Sequence, residues 1–292
     1  MNTATGRIVK NISNLYTVEV NNEKYDCRAR GIFRNNNEIP LVGDIVEVDL
    51  DNSIITKINA RKNELTRPTI ANIDACIIVT SLKEPDYSAS LLDKMLTNVI
   101  LSNIKPIIVF SKYDLLTDSE KKHFDSIIEY YKSIGIDVLL NTEISELESL
   151  ISNQTVTLTG QTGAGKSTLI NKLDKNLNLA TDEISYALGR GKHTTRHVEL
   201  FKVKDYYIAD TPGFSALDVI DDKENIRFAF YEFEEDLCKF RDCKHLNEIG
   251  CKVKEDLEAG KILNSRYESY KGMMNNENIS LSLIHISEPT RQ

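Results

Sequence analysis

Apolar and polar side chains alternate along the first 62 residues of the chain. Asn- and Gly-containing turns separate short alternating stretches at residues 6–9, 15–20, 24–29, 43–48 and 54–58. Four or five short strands at this close spacing predict a small β-barrel, and the OB-fold is a common barrel of this size. A small sandwich or an SH3-like barrel fits the same alternation, so the sequence leaves these alternatives open.

The hydrophobic pattern changes from residue 72 onward. Near-continuous apolar runs at residues 75–80, 106–111, 138–140, 156–159 and 207–209 alternate with helix-like stretches at 90–100, 118–133 and 166–173. Buried strands that alternate with amphipathic helices are typical of an α/β fold with a parallel sheet. Beyond residue 221 the chain becomes charged and helical. Residues 279–292 lack helical periodicity, and we interpret them as a disordered or non-native tail.

Composition narrows the class of protein. Hydrophobic residues make up 41% of the 292 residues and charged residues 27%, as in ordinary globular proteins. No apolar run reaches the roughly 18 residues of a membrane span, and the N-terminus lacks a signal-peptide core, so we expect a cytoplasmic protein without membrane contact. The net charge of −8 argues against a basic coat for nucleic acid. Residues 1–62 alone carry nine basic and eight acidic residues, net +1, so a local RNA-facing patch stays open.

A glycine-rich loop carries the clearest chemical signal. Residues 160–167 read G-Q-T-G-A-G-K-S and match G-x-x-x-x-G-K-[ST] between an apolar strand and a helix, a context that a chance glycine-rich turn lacks. The N–H groups of such a loop surround phosphates, and the helix N-terminus favours negative charge. Lys166 would neutralise the β- and γ-phosphates, and Ser167 would bind Mg²⁺. The predicted nucleotide-binding residues here are Gly160, Gln161, Thr162, Gly163, Ala164, Gly165, Lys166, Ser167 and Thr168.

A second phosphate-side motif follows the apolar run at residues 207–209. Asp210 and Gly213 form D-x-x-G directly after it, where the carboxylate can hold the Mg²⁺ shell and the glycine N–H can sense the γ-phosphate. Between the two motifs lies a basic, glycine-bearing loop at residues 189–196. We expect the Thr195 hydroxyl in this loop to be a further Mg²⁺ ligand, although a plain solvated linker would have the same composition.

A base-recognition motif precedes both phosphate motifs. Guanine is distinguished from adenine by a carboxylate that accepts from its N1–H and 2-amino groups, and Asp114 offers one just after the strand at residues 106–110. Lys112 can cover the base. The segment resembles the Asn-Lys-x-Asp box of GTPases with Ser111 in place of asparagine, and the shorter serine predicts a weaker link to the phosphate loop. Residues 141–143, after the next strand, match the second base-side box poorly and receive no role.

The order of these motifs defines the domain organisation. Asp114 precedes Gly160, whereas an ordinary GTPase has its phosphate loop first, so the chain order predicts a circularly permuted GTPase domain. A chain opened elsewhere builds the same site because ligand geometry depends on spatial position. The predicted parts are a small β-barrel, the circularly permuted α/β P-loop GTPase domain, a helical domain and the tail, at residues 1–62, 63–222, 223–278 and 279–292.

The predicted helical domain contains a cluster of side chains of the types that bind metal ions. Cys238, Cys243, His245 and Cys251 stand within 14 residues, and five cysteines in the whole chain are too few for a disulfide framework. Three thiolates and one imidazole complete a tetrahedral site for one structural Zn²⁺ and leave no open position for chemistry. Unrelated buried cysteines beside a surface histidine are the competing interpretation, and a catalytic Cys–His pair is a weaker one.

Taken together, these motifs resemble the ribosome small-subunit-dependent GTPase A family over about residues 5–272. The resemblance extends to R-K-N-E-L-x-R-P at 61–68, A-N-I-D at 71–74 and E-P-D at 84–86. It implies an N-terminal OB-fold RNA-binding barrel, a circularly permuted GTPase domain and a C-terminal helical zinc-binding domain. The departures are Ser111, the abbreviated loop at residues 141–143 and the aberrant tail.

The resemblance implies a monomeric factor in late maturation of the small ribosomal subunit. Such a factor binds the subunit and its rRNA, takes GTP with Mg²⁺ and is released as GTP is hydrolysed to GDP. The barrel is consistent with RNA contact. Tyr16, Tyr25 and Phe33 can either stack on bases or pack in the core, and core packing is the commoner fate of barrel aromatics.

The D-x-x-G motif lacks the glutamine that often follows it in GTPases. Phe214 follows Gly213, where GTPases often carry a water-positioning glutamine, and its benzyl side chain cannot orient water. We therefore predict slow turnover that the small subunit stimulates. The predicted catalytic residues are His193, as the candidate for positioning water, together with Lys166 and Thr195. A P-loop kinase or ATPase, and an RNA-binding assembly factor with a purely structural nucleotide, are the rival interpretations.

Overall fold

The computed structural model describes residues 2–31, 33, 38–66, 69–174, 198–210, 223–233 and 237–275. The chain divides into two compact units, Met1–Val219 and Ile220–Gln292. The predicted tail at 279–292 lies outside the described residues. Of the helices that are described, none has the length and apolar character needed to cross a bilayer.

The first unit begins with a barrel. Its described strands are β1 (Thr3–Ile12), β2 (Leu15–Val20), β3 (Glu23–Ala29), β4 (Ile45–Asp49) and β5 (Ile54–Ile58). β1 pairs antiparallel with both β2 and β4, β2 pairs with β3, and β5 joins β3 to β4. This closed circuit confirms the predicted OB-like barrel.

Side-chain size decides which residues fill the barrel. A Cβ on Gly6 would stand 2.6 Å from Val18 Cγ1, so β1 can lie against β2 there only because Gly6 has no side chain. Tyr16 and Phe33 are 2% and 5% exposed and belong to the core. These two rings are therefore core residues, and the alternative that they stack on RNA bases is wrong. Tyr25 is only partly buried and packs against the same core.

An ordered joint connects the barrel to the rest of the unit. Arg61 forms a two-pronged ion pair with the buried Asp44, with its Nε 2.7 Å from Oδ1 and its Nη2 2.8 Å from Oδ2. The hairpin of β6 (Glu64–Thr66) and β7 (Thr69–Ala71) follows. Buried Asn72 then donates to the Gly43 carbonyl at 3.0 Å. Because Asp44 is buried, its ion pair with Arg61 also satisfies a charge that would otherwise oppose folding.

A six-stranded α/β layer forms the centre of the unit. Its described strands are β8 (Ala75–Ser81), β9 (Lys105–Ser111), β10 (Asp137–Leu140), β11 (Thr155–Thr159), β12 (Glu199–Val203) and β13 (Tyr206–Asp210). They lie in the order β10-β9-β8-β11-β13-β12, parallel except for the antiparallel pair β12–β13. The strands before the phosphate loop thus take the places of the fourth to sixth strands of an ordinary GTPase. This order confirms the circular permutation.

The layer is covered by helices on both faces. They are α1 (Ala89–Leu101), α2 (Asp118–Ser133), α3 (Ile144–Ile151) and α4 (Lys166–Leu173). Successive residues of β8 belong to two different cores: Cys76 and Ile78 pack in one, Ile77 and Val79 in the other. Strands buried on both faces lose the apolar–polar alternation, which explains the continuous apolar runs in the sequence.

The barrel and the α/β layer share one continuous sheet. Lys10 of β1 pairs with Glu199 of β12, and their side chains form an ion pair at 2.7 Å. Arg7 donates to the Thr155 hydroxyl, and its guanidinium carbon lies 5.1 Å from the centre of the Tyr207 ring. The barrel is therefore joined to β11, β12 and β13, of which β11 leads into the phosphate loop and β13 ends at Asp210.

The second unit is small and helical. It contains a 3₁₀ turn (Ile226–Ala229), α5 (Lys252–Glu258) and α6 (Asn264–Met274). Phe230 stacks on Phe233 at 5.0 Å between ring centres, and both rings meet Tyr270 edge-on. The buried Arg266 guanidinium pairs with Glu232 at 2.7 Å and lies over the Phe230 ring.

Candidate functional site

The phosphate loop connects β11 to α4 through backbone that needs glycine. Gly160, Gly163 and Gly165 have φ of +142°, +80° and +94°. A Cβ on Gly160 would stand 2.0 Å from the Val79 carbonyl oxygen, so no other residue fits there. The loop is thereby held against the end of β8, with its last glycine at the N-terminus of α4.

Lys166 begins α4 and points back into the loop. Its Nζ donates to the Gly160 and Gln161 carbonyl oxygens at 2.6 and 2.8 Å. Burial lowers the pKa of this ammonium, and bound phosphates would stabilise its charge instead. Ser167 is partly buried beside it and Thr168 is exposed. This arrangement can neutralise a polyphosphate.

The guanine box lies at the same edge of the sheet. Ser111 ends β9 opposite Ser81 of the parallel strand β8, and its Oγ donates to the Ala164 carbonyl of the phosphate loop at 2.6 Å. Serine therefore does link the box to the loop, through a single bond between groups that are almost fully buried. The exposed Asp114 follows in a 3₁₀ turn (Tyr113–Leu115), where its carboxylate is open to a ligand.

The loop after β10 supplies a base-side feature that the sequence pattern does not reveal. The Asn141 N–H donates to the Phe110 carbonyl at 2.8 Å, and the Glu143 N–H donates to Leu140. Lys172 Nζ donates to the Asn141 carbonyl at 2.9 Å. Within the described part of the chain the Thr142 N–H donates no hydrogen bond. The loop thus presents one backbone donor beside the guanine box, and its only sequence signal is its position at a strand end.

The remaining phosphate-side residues are described only in part. β13 runs parallel to β11 and ends at Asp210, so the backbone places this residue at the same edge as the phosphate loop. His193, Thr195 and Gly213 lie outside the described residues. The geometry therefore brings together the phosphate loop and the guanine box, while the hydrolytic residues stay predictions.

The four predicted metal ligands converge in the second unit. The Sγ atoms of Cys238, Cys243 and Cys251 and a ring nitrogen of His245 all lie within 4.8 Å of one another. His245 Nδ1 is 3.4 Å from Cys251 Sγ and 3.6 Å from Cys238 Sγ. Burial raises the pKa of the Cys243 thiol to about 12 and lowers the pKa of His245. A bound cation would favour the thiolates, so this donor set fits a tetrahedral metal.

Side chains of α6 and of the 3₁₀ turn donate to the backbone of the segment that carries the metal ligands. The Tyr267 and Tyr270 hydroxyls of α6 donate to the His245 and Lys244 carbonyls, each at 2.7 Å. Arg227 Nη1 donates to the Cys243 carbonyl at 3.3 Å. These bonds orient the ligand-bearing backbone, as the outer contacts of metal sites commonly do.

Comparison with known proteins agrees with this architecture. The family model described as RsgA GTPase matches residues 58–220, and that of the RsgA N-terminal domain matches residues 5–56. A small ribosomal subunit biogenesis GTPase RsgA 1 from Listeria monocytogenes is 45% identical over 274 residues, covering 91% of this chain and 94% of its own. The RsgA of Leuconostoc citreum is 48% identical over 278 residues, covering 91% and 92%.

Solved structures show the same fold. YjeQ from Thermotoga maritima superimposes with a TM-score of 0.82 at 32% identity, over 94% of this chain and 98% of its own. YloQ, described as a circularly permuted GTPase, gives 0.80 at 34% identity, over 94% and 95%. The chain is a circularly permuted GTPase with an OB-like barrel, as its strand order, its phosphate loop and its similarity to these proteins together define. The chain belongs to the RsgA family.

Proposed function

We propose that this chain is a GTPase that binds the small ribosomal subunit and its rRNA, assists late maturation of the subunit, and leaves it when GTP is hydrolysed. The relatives named as small ribosomal subunit biogenesis GTPases support the biological role. One observation carries the nucleotide chemistry: the Ser111 hydroxyl, in the predicted guanine box, donates to the Ala164 carbonyl of the phosphate loop. We expect the protein to act as a cytoplasmic monomer.

In this proposal the base is read from two sides. The Asp114 carboxylate accepts from guanine N1–H and the 2-amino group, and Lys112 covers the ring. The Thr142 N–H, in the loop after β10, is free to donate to guanine O6, where adenine carries an amino group that cannot accept. Adenine would thus lose the contacts on both sides, and such unpaired polar groups cost binding energy.

The phosphates are held by the loop N–H groups and by Lys166. Mg²⁺ bound with GTP would neutralise charge that develops on the β- and γ-phosphates. Ser167 and Thr195 are its proposed ligands, with Asp210 holding its hydration shell. Gly213 senses the γ-phosphate. His193 is our candidate for orienting the attacking water, because Phe214 cannot do so, and we expect turnover to be slow until the small subunit binds.

The Cys₃His cluster is proposed to hold one structural Zn²⁺. Its ligand atoms suit this ion because three thiolates and an imidazole match its usual donors. The short helices of this unit offer little core of their own, so metal binding would supply folding free energy. Zinc therefore stabilises the fold here and takes no part in hydrolysis.

GTP turnover with and without purified small ribosomal subunits tests the function. We expect slow hydrolysis alone and a marked rise with subunits, which large subunits do not reproduce. Equal rates under all three conditions would favour an RNA-binding factor with a structural nucleotide. A His193→Ala variant that retains full subunit-stimulated turnover would exclude the proposed role of that histidine.

Base preference is tested by nucleotide competition. GTP and GDP should displace a bound guanine nucleotide, and ATP should not. An Asp114→Asn substitution should shift preference toward xanthine nucleotides, because an amide can donate to the additional xanthine carbonyl. Equal competition by ATP and GTP would instead support a P-loop kinase or ATPase.

A further inference from the structure

A short loop after β8 lies between the two halves of the nucleotide site. The Leu82 N–H donates to the Ser111 carbonyl at 3.1 Å, so this loop starts beside the guanine box. Pro85 reaches the phosphate loop, since its Cδ stands 3.5 Å from the position a Cβ on Gly163 would take. Glu84, between them, accepts a hydrogen bond from Lys112 Nζ on its carbonyl oxygen. Residues 82–86, here called the bridging loop, therefore contact both motifs.

The backbone of the bridging loop requires external support. Glu84 has a φ of +57°, a conformation that a side-chain-bearing residue keeps only where its surroundings impose it. Two contacts fix the preceding residue: Ser81 Oγ donates to the Lys83 carbonyl at 2.7 Å, and Lys83 Nζ lies 3.1 Å from both carboxylate oxygens of Glu120. Both the main chain and the side chain of Lys83 are thus anchored.

The anchor on α2 is itself held in place. The Glu120 carboxylate accepts from the Thr117 N–H at 2.7 Å while Thr117 Oγ1 caps the helix in return. These Thr117 and Lys83 contacts lower the pKa of Glu120 to about 2, so the carboxylate is charged at neutral pH. Lys83 therefore pairs with a charged carboxylate whose position is fixed by the capping box at the N-terminus of α2.

We propose that Lys83 is a positioning residue for the guanine nucleotide, acting through the bridging loop. The Lys83–Glu120 ion pair fixes Glu84, whose carbonyl holds the Lys112 ammonium beside the base, and it keeps Pro85 against Gly163 of the phosphate loop. Loss of the pair loosens both motifs at once, so bound nucleotide leaves faster. This inference rests on the proposed guanine-nucleotide function and adds a residue that touches neither base nor phosphate.

The test measures binding and dissociation of a fluorescent GDP analogue on the full chain. Lys83→Gln should raise the dissociation constant about threefold, mostly through a faster dissociation rate, the size expected for a partly exposed ion pair. GDP and a GTP analogue should be affected equally, and the effect should shrink at high salt. Lys83→Arg should restore the wild-type rate. Glu120 is unsuitable for substitution in this test because it also caps α2.

Lys105→Gln is the matched control. Lys105 forms an ion pair with Asp137 at 2.6 Å at the start of β9, the edge opposite to the nucleotide site. It should leave nucleotide dissociation unchanged, and the thermal midpoint without nucleotide should be alike for both glutamine variants. A wild-type dissociation rate in Lys83→Gln, or equal acceleration in both variants, would overturn the proposal. Wild-type protein that binds ADP as tightly as GDP would instead contradict the guanine assignment.

Discussion

The Tyr207 hydroxyl in the α/β layer donates a hydrogen bond to Glu19 Oε1 in the barrel at 2.8 Å. Lys202 Nζ lies 3.2 Å from the same oxygen, and the carboxylate belongs to a residue that is only 8% exposed. Tyr207 stands on β13, the strand that ends at Asp210. A buried polar contact thus ties the barrel to the strand leading into the D-x-x-G motif.

This contact predicts that Tyr207→Phe weakens the junction. The substitution keeps the ring and leaves Glu19 with one fewer donor, so the free energy of unfolding should fall by about 1–2 kcal/mol. Denaturant unfolding measures the change. Tyr25→Phe is the control, because the Tyr25 hydroxyl also donates to a glutamate, Glu23, but at an exposed site. Equal losses in the two variants would show that burial at the junction contributes nothing.

A second prediction concerns the Ser111 hydroxyl. Ser111→Ala removes the bond to the Ala164 carbonyl and leaves that buried oxygen without this donor. We expect GDP and GTP affinities to fall together by about fivefold, equivalent to about 1 kcal/mol. Isothermal titration with each nucleotide measures the effect. Ser102→Ala, which removes a hydroxyl bonded to Asn98 at the end of α1, should bind as wild type does.

Much of the fold can be predicted from local sequence, because strand burial and turns each require a recognisable pattern of residue types. The G-x-x-x-x-G-K-[ST] loop is readable because Gly160 has to avoid the Val79 carbonyl, and only glycine does so. The sequence likewise predicts the permuted motif order and the metal-ligand cluster, and the structure confirms both.

Contacts between distant segments produce no such pattern in the local sequence. The Thr142 N–H is a backbone group, so nearly any residue can supply it. The Ser111 link depends on how closely β9 approaches the phosphate loop, and Tyr16 and Phe33 could be assigned to the core only once the barrel was closed. These features arise from tertiary packing, which residue type at one position does not encode.

Acid stability provides a third prediction, through Glu120. Its pKa lies well below the ordinary value, so its contribution to stability is present above about pH 4.5 and is lost as the pH falls toward 2. Glu120→Gln should therefore lower the unfolding midpoint at pH 7, with a gap to wild type that closes between pH 4.5 and 2. Thermal unfolding across this range measures the gap. A gap that stays constant with pH would mean that the charge of Glu120 is not involved.

The proposed metal site provides the last prediction, through Tyr267. Its hydroxyl holds the carbonyl of His245, a residue whose φ of +57° has to be imposed by its surroundings. Tyr267→Phe should leave one metal ion per chain but weaken its binding about tenfold, as loss of an outer contact typically does. Competition with a chromogenic chelator measures the affinity, and elemental analysis identifies the ion. Ser269→Ala, which removes only a hydroxyl bonded to Ser265 within α6, should not change it. If both variants release metal alike, the loss reflects a weakened helix, and orientation of His245 by Tyr267 is excluded.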